Sequence, residues 1–179
     1  MREVLWLLLV QGMLGAFDTI YYHELKAKLP ALGSRAAAEL RLHAARDFIY
    51  AAIFGSLPYV AWHGYMAILL AVLLGAEIAI TLRDFVVEDS VRRPLGGVYP
   101  GERVTHAIMG IVYGAMLANL VPVVWTWGQE STALSPNAPD VPEELRWAMV
   151  FLAFGLVVSG TRDLLASCDL PYSHWPWRR

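Results

Sequence analysis

Two stretches of the chain carry the same arrangement of side chains able to bind a metal ion or move a proton. Glu39 and His43 stand four residues apart, as do Glu102 and His106, a spacing that puts both groups on one face of a helix. Each pair opens the pattern E-x-x-x-H-A-x-x-x-x-[IV]-Y-[AG]-A, which places Tyr50 and Tyr113 about two turns beyond the histidines, with Pro58 and Pro122 further on. Asp84 and Glu88 form another pair at the same spacing, and Asp18 and His23 close the first apolar run. Glu77, seven residues before Asp84, lies about 10 Å further along its helix at 1.5 Å rise per residue. No serine or cysteine nucleophile constellation competes with these residues, and the single cysteine, Cys168, excludes a disulfide framework and a cysteine-based zinc site.

Mixed imidazole and carboxylate donors suit iron, manganese or zinc better than magnesium or copper(I). The expected metal ligands are Glu39, His43, Glu102 and His106, then Asp84 and Glu88, then Asp18 and His23. In motif logic, though not as a sequence family, the set resembles the di-iron carboxylate bundles. There, two helices each give a carboxylate and two others each give a Glu-x-x-His pair. The spacing here is four rather than three, which turns each Glu-His pair by roughly 100° relative to that pattern. Glu77 is the expected catalytic acid or proton relay, since an ionisable group at that depth needs a purpose. Tyr50 and Tyr113 are read as hydrogen-bonders behind the site or as core packing. Arg92 and Arg93 are expected at an anionic substrate headgroup. His63 and His174 are read as structural.

The elements that must position these residues are apolar helices. Of the 179 residues, 57% are hydrophobic and only 17% charged, and the mean hydropathy is +0.46. An average soluble domain carries roughly 25% charged residues, so the composition excludes disorder and a nucleic-acid-binding tail and points to a membrane protein. The formal net charge of −2 supplies no field that recruits nucleic acid. Five apolar stretches approach spanning length, at residues 4–22, 36–62, 65–89, 102–127 and 143–166. The expected fold is an all-α transmembrane bundle forming one domain over residues 1–179. The run from Arg2 to Ala16 also has the form of a secretory leader, and it is read as a retained span. Residues 128–142 are expected to be a loop on the membrane surface.

Following the chain through these spans gathers Lys26, Lys28, Arg35, Arg41, Arg46, Arg83, Arg92, Arg93, Arg103, Arg162, Arg178 and Arg179 on one side. Only Arg2 and Arg146 lie opposite. The positive-inside rule then puts the N-terminus outside and the C-terminus in the cytoplasm of an inner (plasma) membrane. Trp6, Trp62, Trp125, Trp127 and Trp147 fall near the outer interface, with Trp175 and Trp177 near the inner one.

The two Glu-His motifs belong to a wider similarity between the halves of the chain. At an offset of 66, Gln11 aligns with Glu77, Asp18 with Asp84, Tyr22 with Glu88 and His23 with Asp89. Spans one and two therefore read as a parallel internal repeat of spans three and four, with the fifth span outside it.

Together these features predict a membrane-embedded metal enzyme with one or two ions, iron favoured, near the cytoplasmic face. Its substrate would be a lipid or other lipophilic small molecule, with oxidation ahead of hydrolysis. Two other classes compete. His43 and His106 could be the axial ligands of a b-type haem in an electron carrier, or structural members of a cofactor-free subunit of a membrane complex. Asp84, Glu88 and Asp89 with Arg92 and Arg93 could instead hold magnesium and a lipid diphosphate, although repeated Asp-x-x-x-Asp boxes are missing.

Overall fold

The computed structural model describes residues 1–136 and 141–176. Residues 137–140 of the expected surface loop and the inner-side residues Trp177, Arg178 and Arg179 lie outside the described residues. The chain is predominantly helical, in the order α1 (Arg2–Asp18), which continues as a π-helix over Thr19–Lys26, α2 (Leu29–Leu32), α3 (Ala37–Ser56), β1 (Val60–His63), α4 (Tyr65–Arg92), α5 (Pro100–Gly128), β2 (Ala133–Pro136) and α6 (Glu143–Ser167). Four helical stretches, Arg2–Lys26, Tyr65–Leu95, Pro100–Gly128 and Glu143–Ser167, are long and apolar enough to cross a membrane. Helix α3 has the length, but its first three turns carry Glu39, Arg41, His43, Arg46 and Asp47.

Helix α1 packs along α5, α3 along α4, and α6 lies against α3 over most of its length. Gly160 permits that last contact: a Cβ there would stand 3.0 Å from Asp47 Cβ and 3.2 Å from the Ala44 carbonyl. The main apolar core, with Leu5, Leu8, Phe54, Leu70, Met116 and Met149, fills one end of the bundle. A smaller cluster of Leu29, Ala36, Leu40 and Ala166 seals the other.

Two expectations need correction at the end carrying the main core. The helix begun at Ala37 stops at Ser56 rather than reaching Trp62; Pro58 removes one N–H from the ladder, which Pro122 does within α5 without ending it, and the Val-Ala-Trp-His segment after Pro58 pairs as a strand. Its partner is the segment read as a surface loop. Residues 60–63 and 133–136 form an antiparallel pair with Val60 opposite Pro136 and His63 opposite Ala133. The His63 ring fixes that pair, with Nε2 2.7 Å from Ser135 Oγ and Nδ1 2.9 Å from Glu130 Oε2.

Candidate metal centre

The helix starts set two of the carboxylates. Glu39 and Glu102 both occupy the third position of their helices, following the caps at Ala36 and Tyr99, where the positive end of the helix favours an anion. Pro100 at the first position of α5 costs no hydrogen bond. Glu102 Oε2 accepts the Tyr99 backbone N–H at 3.4 Å, which leaves Oε1 to the bundle interior. His43 and His106 follow one turn later on the same faces.

The local register of α1 differs from a regular helix. Over Thr19–Lys26 the chain is π-helical, with bonds closing five residues back rather than four, so Asp18 and His23 share a face although five residues separate them. Both are buried. The offset comparison had set His23 against Asp89. Asp89 instead lies at the surface, pairing with Arg93 at 3.2 Å, and Glu88 is the buried member of that turn.

These elements bring Asp18, His23, Glu102 and His106 into one group whose donor atoms all lie within 4.8 Å of one another. His23 Nε2 stands 3.3 Å from Asp18 Oδ2 and 3.2 Å from Glu102 Oε1. His106 Nε2 is 3.2 Å from Asp18 Oδ2, and its Nδ1 is 3.8 Å from Glu88 Oε1. A second group adjoins the first: His43 Nε2 lies 3.1 Å from Asp84 Oδ2 and 3.9 Å from Glu39 Oε1. The His23 and His43 rings, stacked with centroids 4.7 Å apart, join the two groups.

Arg92 is fully buried between them. Its Nη2 reaches Glu39 Oε1 at 2.7 Å and Glu102 Oε1 at 3.3 Å, and its Nε also donates to Glu39. The residue expected at a headgroup thus lies inside the cluster, while Arg93 remains exposed. Arg46 pairs with Asp84 at 3.1 Å rather than with its neighbour Asp47. Sequence reasoning assigned no site role to Asp163, whose Oδ2 is 3.7 Å from His43 Nδ1. Its signal was available, since it is an acid within an apolar stretch.

Two observations show that this donor set fits a cation. The carboxyl groups of Asp18, Glu39, Asp84, Glu88, Glu102 and Asp163 outnumber the guanidiniums of Arg92 and Arg46, so the balance falls to protons on these acids and on His23, His43 and His106, or to a bound cation. Moreover, buried atoms without a hydrogen-bond partner concentrate here: Asp18 Oδ1, His23 Nε2, Glu102 Oε1, His43 Nε2 and Asp84 Oδ1. His23 Nε2 lies close to two carboxylates yet lacks the alignment of a hydrogen bond with either. A buried donor or acceptor without a hydrogen bond costs about 1–3 kcal/mol, and a metal ion among Asp18, His23, Glu102 and His106 would satisfy those that belong to that group.

A cavity of about 610 Å³ runs from the cluster into the bundle. Asp18 and His106 line its inner end, and Ile78, Phe54, Leu117 and Leu152 line its apolar walls. Gly110, Gly114 and Gly155 also line it, each with open space where a Cβ would stand. Glu77 faces the cavity, its Oε1 accepting hydrogen bonds from Tyr50 at 2.9 Å and Thr81 at 2.8 Å.

Fold and site together define a helical protein, with four helices among the described residues long and apolar enough to cross a membrane, and with a buried carboxylate–imidazole cluster that could hold a metal ion. Comparison with protein-family models, curated proteins and solved structures gives no match.

Proposed function

We propose that the chain is a membrane-embedded metal-dependent enzyme acting on a lipophilic substrate, with oxidation ahead of hydrolysis. The observation that carries this reading is the buried group of Asp18, His23, Glu102 and His106, with donor atoms within 4.8 Å of one another and several of those atoms unpartnered. Glu39, His43, Asp84 and Glu88 supply the donors for a second ion. Under the internal repeat, α1 corresponds to α4 and α3 to α5, so Asp18 and His23 correspond to Asp84 and Glu88, and Glu39 and His43 to Glu102 and His106. The π-turn supports this pairing, because it gives His23 the facing that Glu88 has in a regular helix.

The donor chemistry favours iron, with zinc or manganese as alternatives. Bound iron would supply the oxidising chemistry. The protein's own contribution is to exclude bulk water from the cluster, neutralise Glu39 through Arg92, and present the cavity with Glu77 as a proton relay within it. Carboxylates against both His43 and His106 favour a metal over a haem, whose pocket is usually apolar. If α3 serves as a fifth span, the charge asymmetry supports a cluster near the cytoplasmic face of the inner membrane and an N-terminus outside.

Metal analysis by mass spectrometry on detergent-purified protein, with an ultraviolet-visible spectrum, tests the reading. The expected result is about one to two equivalents of a transition metal per chain; less than about half an equivalent after purification in metal-replete medium overturns it.

A further inference from the structure

We propose that the cavity binds a long-chain or isoprenoid alcohol, with its hydroxyl held between Gln11, Glu77 and Tyr113. The inference deepens the reading above by naming the substrate class of that site. All three side chains line the cavity, and all are more than nine-tenths buried, at 5%, 2% and 9% exposure. Each has one buried polar atom that makes no well-aligned hydrogen bond: Gln11 Oε1, Glu77 Oε2 and the Tyr113 hydroxyl, which lies beside the Glu77 carboxyl group. Thr81 and Tyr50 already occupy the other oxygen of Glu77, which holds the carboxyl group and leaves Oε2 as its unpartnered oxygen.

The set comprises two acceptors and a hydroxyl donor, which selects among lipid head groups. An alcohol oxygen accepts the Tyr113 O–H while its own proton goes to Glu77 Oε2 or Gln11 Oε1. An ether can only accept, a hydrocarbon can do neither, and a carboxylate would meet the acid and amide oxygens with no proton to offer. An ammonium could donate but has nothing to accept from Tyr113. Phe54, Leu117 and Leu152 provide an apolar surface for the chain, and a cavity of about 610 Å³ lies within the roughly 300–1,000 Å³ usual for small-molecule sites.

Binding of farnesol, farnesyl methyl ether and the parent hydrocarbon to the full chain in lipid nanodiscs, measured against protein-free nanodiscs, tests this. Farnesol is expected to bind about tenfold more tightly than either analogue, the size of one or two net hydrogen bonds. Tyr113→Phe, which keeps the ring and its packing, is expected to remove most of that preference without changing metal content, and Glu77→Leu to remove it as well. Equal binding of the three compounds by the wild-type chain overturns the proposal, as does a preference that survives Tyr113→Phe. The same measurement after chelation separates the two readings. A hydroxyl preference in protein that binds no metal upholds this site and sinks the metal enzyme, whereas metal content without the preference does the reverse.

Discussion

The imidazoles of His23 and His43 lie face to face, with ring centroids 4.7 Å apart and planes 11° from parallel. Each belongs to a different carboxylate group, His23 to Asp18 and Glu102 and His43 to Asp84 and Glu39. The stack makes the two groups neighbours, so the proposed two-ion site would bring its ions close together. His23→Ala and His43→Ala are each expected to lower bound transition metal to about half or less, because each removes one imidazole donor from a different group. His174→Ala supplies the control, since its ring Nδ1–H donates to the Pro30 carbonyl 2.7 Å away. Metal analysis of the three purified variants checks this; loss in the control, or retention in both others, contradicts it.

Arg92 stands where a cation is needed, between Glu39 and Glu102. Removing one partner of a buried ion pair costs about 3–5 kcal/mol, since the charge left behind is uncompensated. Arg92→Met is therefore expected to lower the unfolding temperature of metal-stripped protein sharply. Metal should restore much of the loss, because a bound ion neutralises the same carboxylates. The measurement is thermal unfolding of wild type and variant with and without iron. The metal-induced rise is expected to be larger in Arg92→Met, and an equal rise in both proteins means that Arg92 and the ion do not share these glutamates.

The π-helical turn makes a sharper claim about register. If it is what brings His23 beside Asp18, exchanging the residues as Tyr22→His with His23→Tyr turns the imidazole away by about 100° and is expected to abolish metal binding while helical circular dichroism persists. Deleting the exposed Ile20 removes the inserted residue. The helix can then close in the regular register with the histidine four residues after Asp18, so metal binding is expected to survive. Survival after the exchange and loss after the deletion would refute the assignment.

The composition and the runs of apolar residues made the helices and their order legible. The Glu39/His43 and Glu102/His106 motifs led to the cluster because residues four apart must share a helix face. What the sequence hid were relations that depend on helix register or on packing between distant elements. The offset of 66 set His23 beside Asp89, since a π-turn leaves no mark on residue spacing. Arg92 and Arg93 are adjacent and alike in sequence, yet one faces the bundle and the other the surface. Asp163 reaches His43 only because α6 packs on α3, and the strand at 60–63 needed a partner more than 70 residues away to be recognised.

Gly114 separates the role of the cavity from that of the cluster. It lines the cavity, and a Cβ built on it meets nothing within 4 Å, so the first carbon of a larger side chain enters open space. Gly114→Leu also removes a glycine from the interior of α5, which favours the helix by roughly 0.8–1.0 kcal/mol on intrinsic propensity. The variant is expected to fold at least as stably as wild type and to keep its metal, while farnesol binding weakens by about tenfold or more through lost volume. Circular dichroism, metal analysis and the nanodisc binding measurement on one preparation check all three. Undiminished binding places the lipophilic ligand elsewhere, whereas loss of metal along with binding means that the cavity wall and the cluster form one mechanical unit.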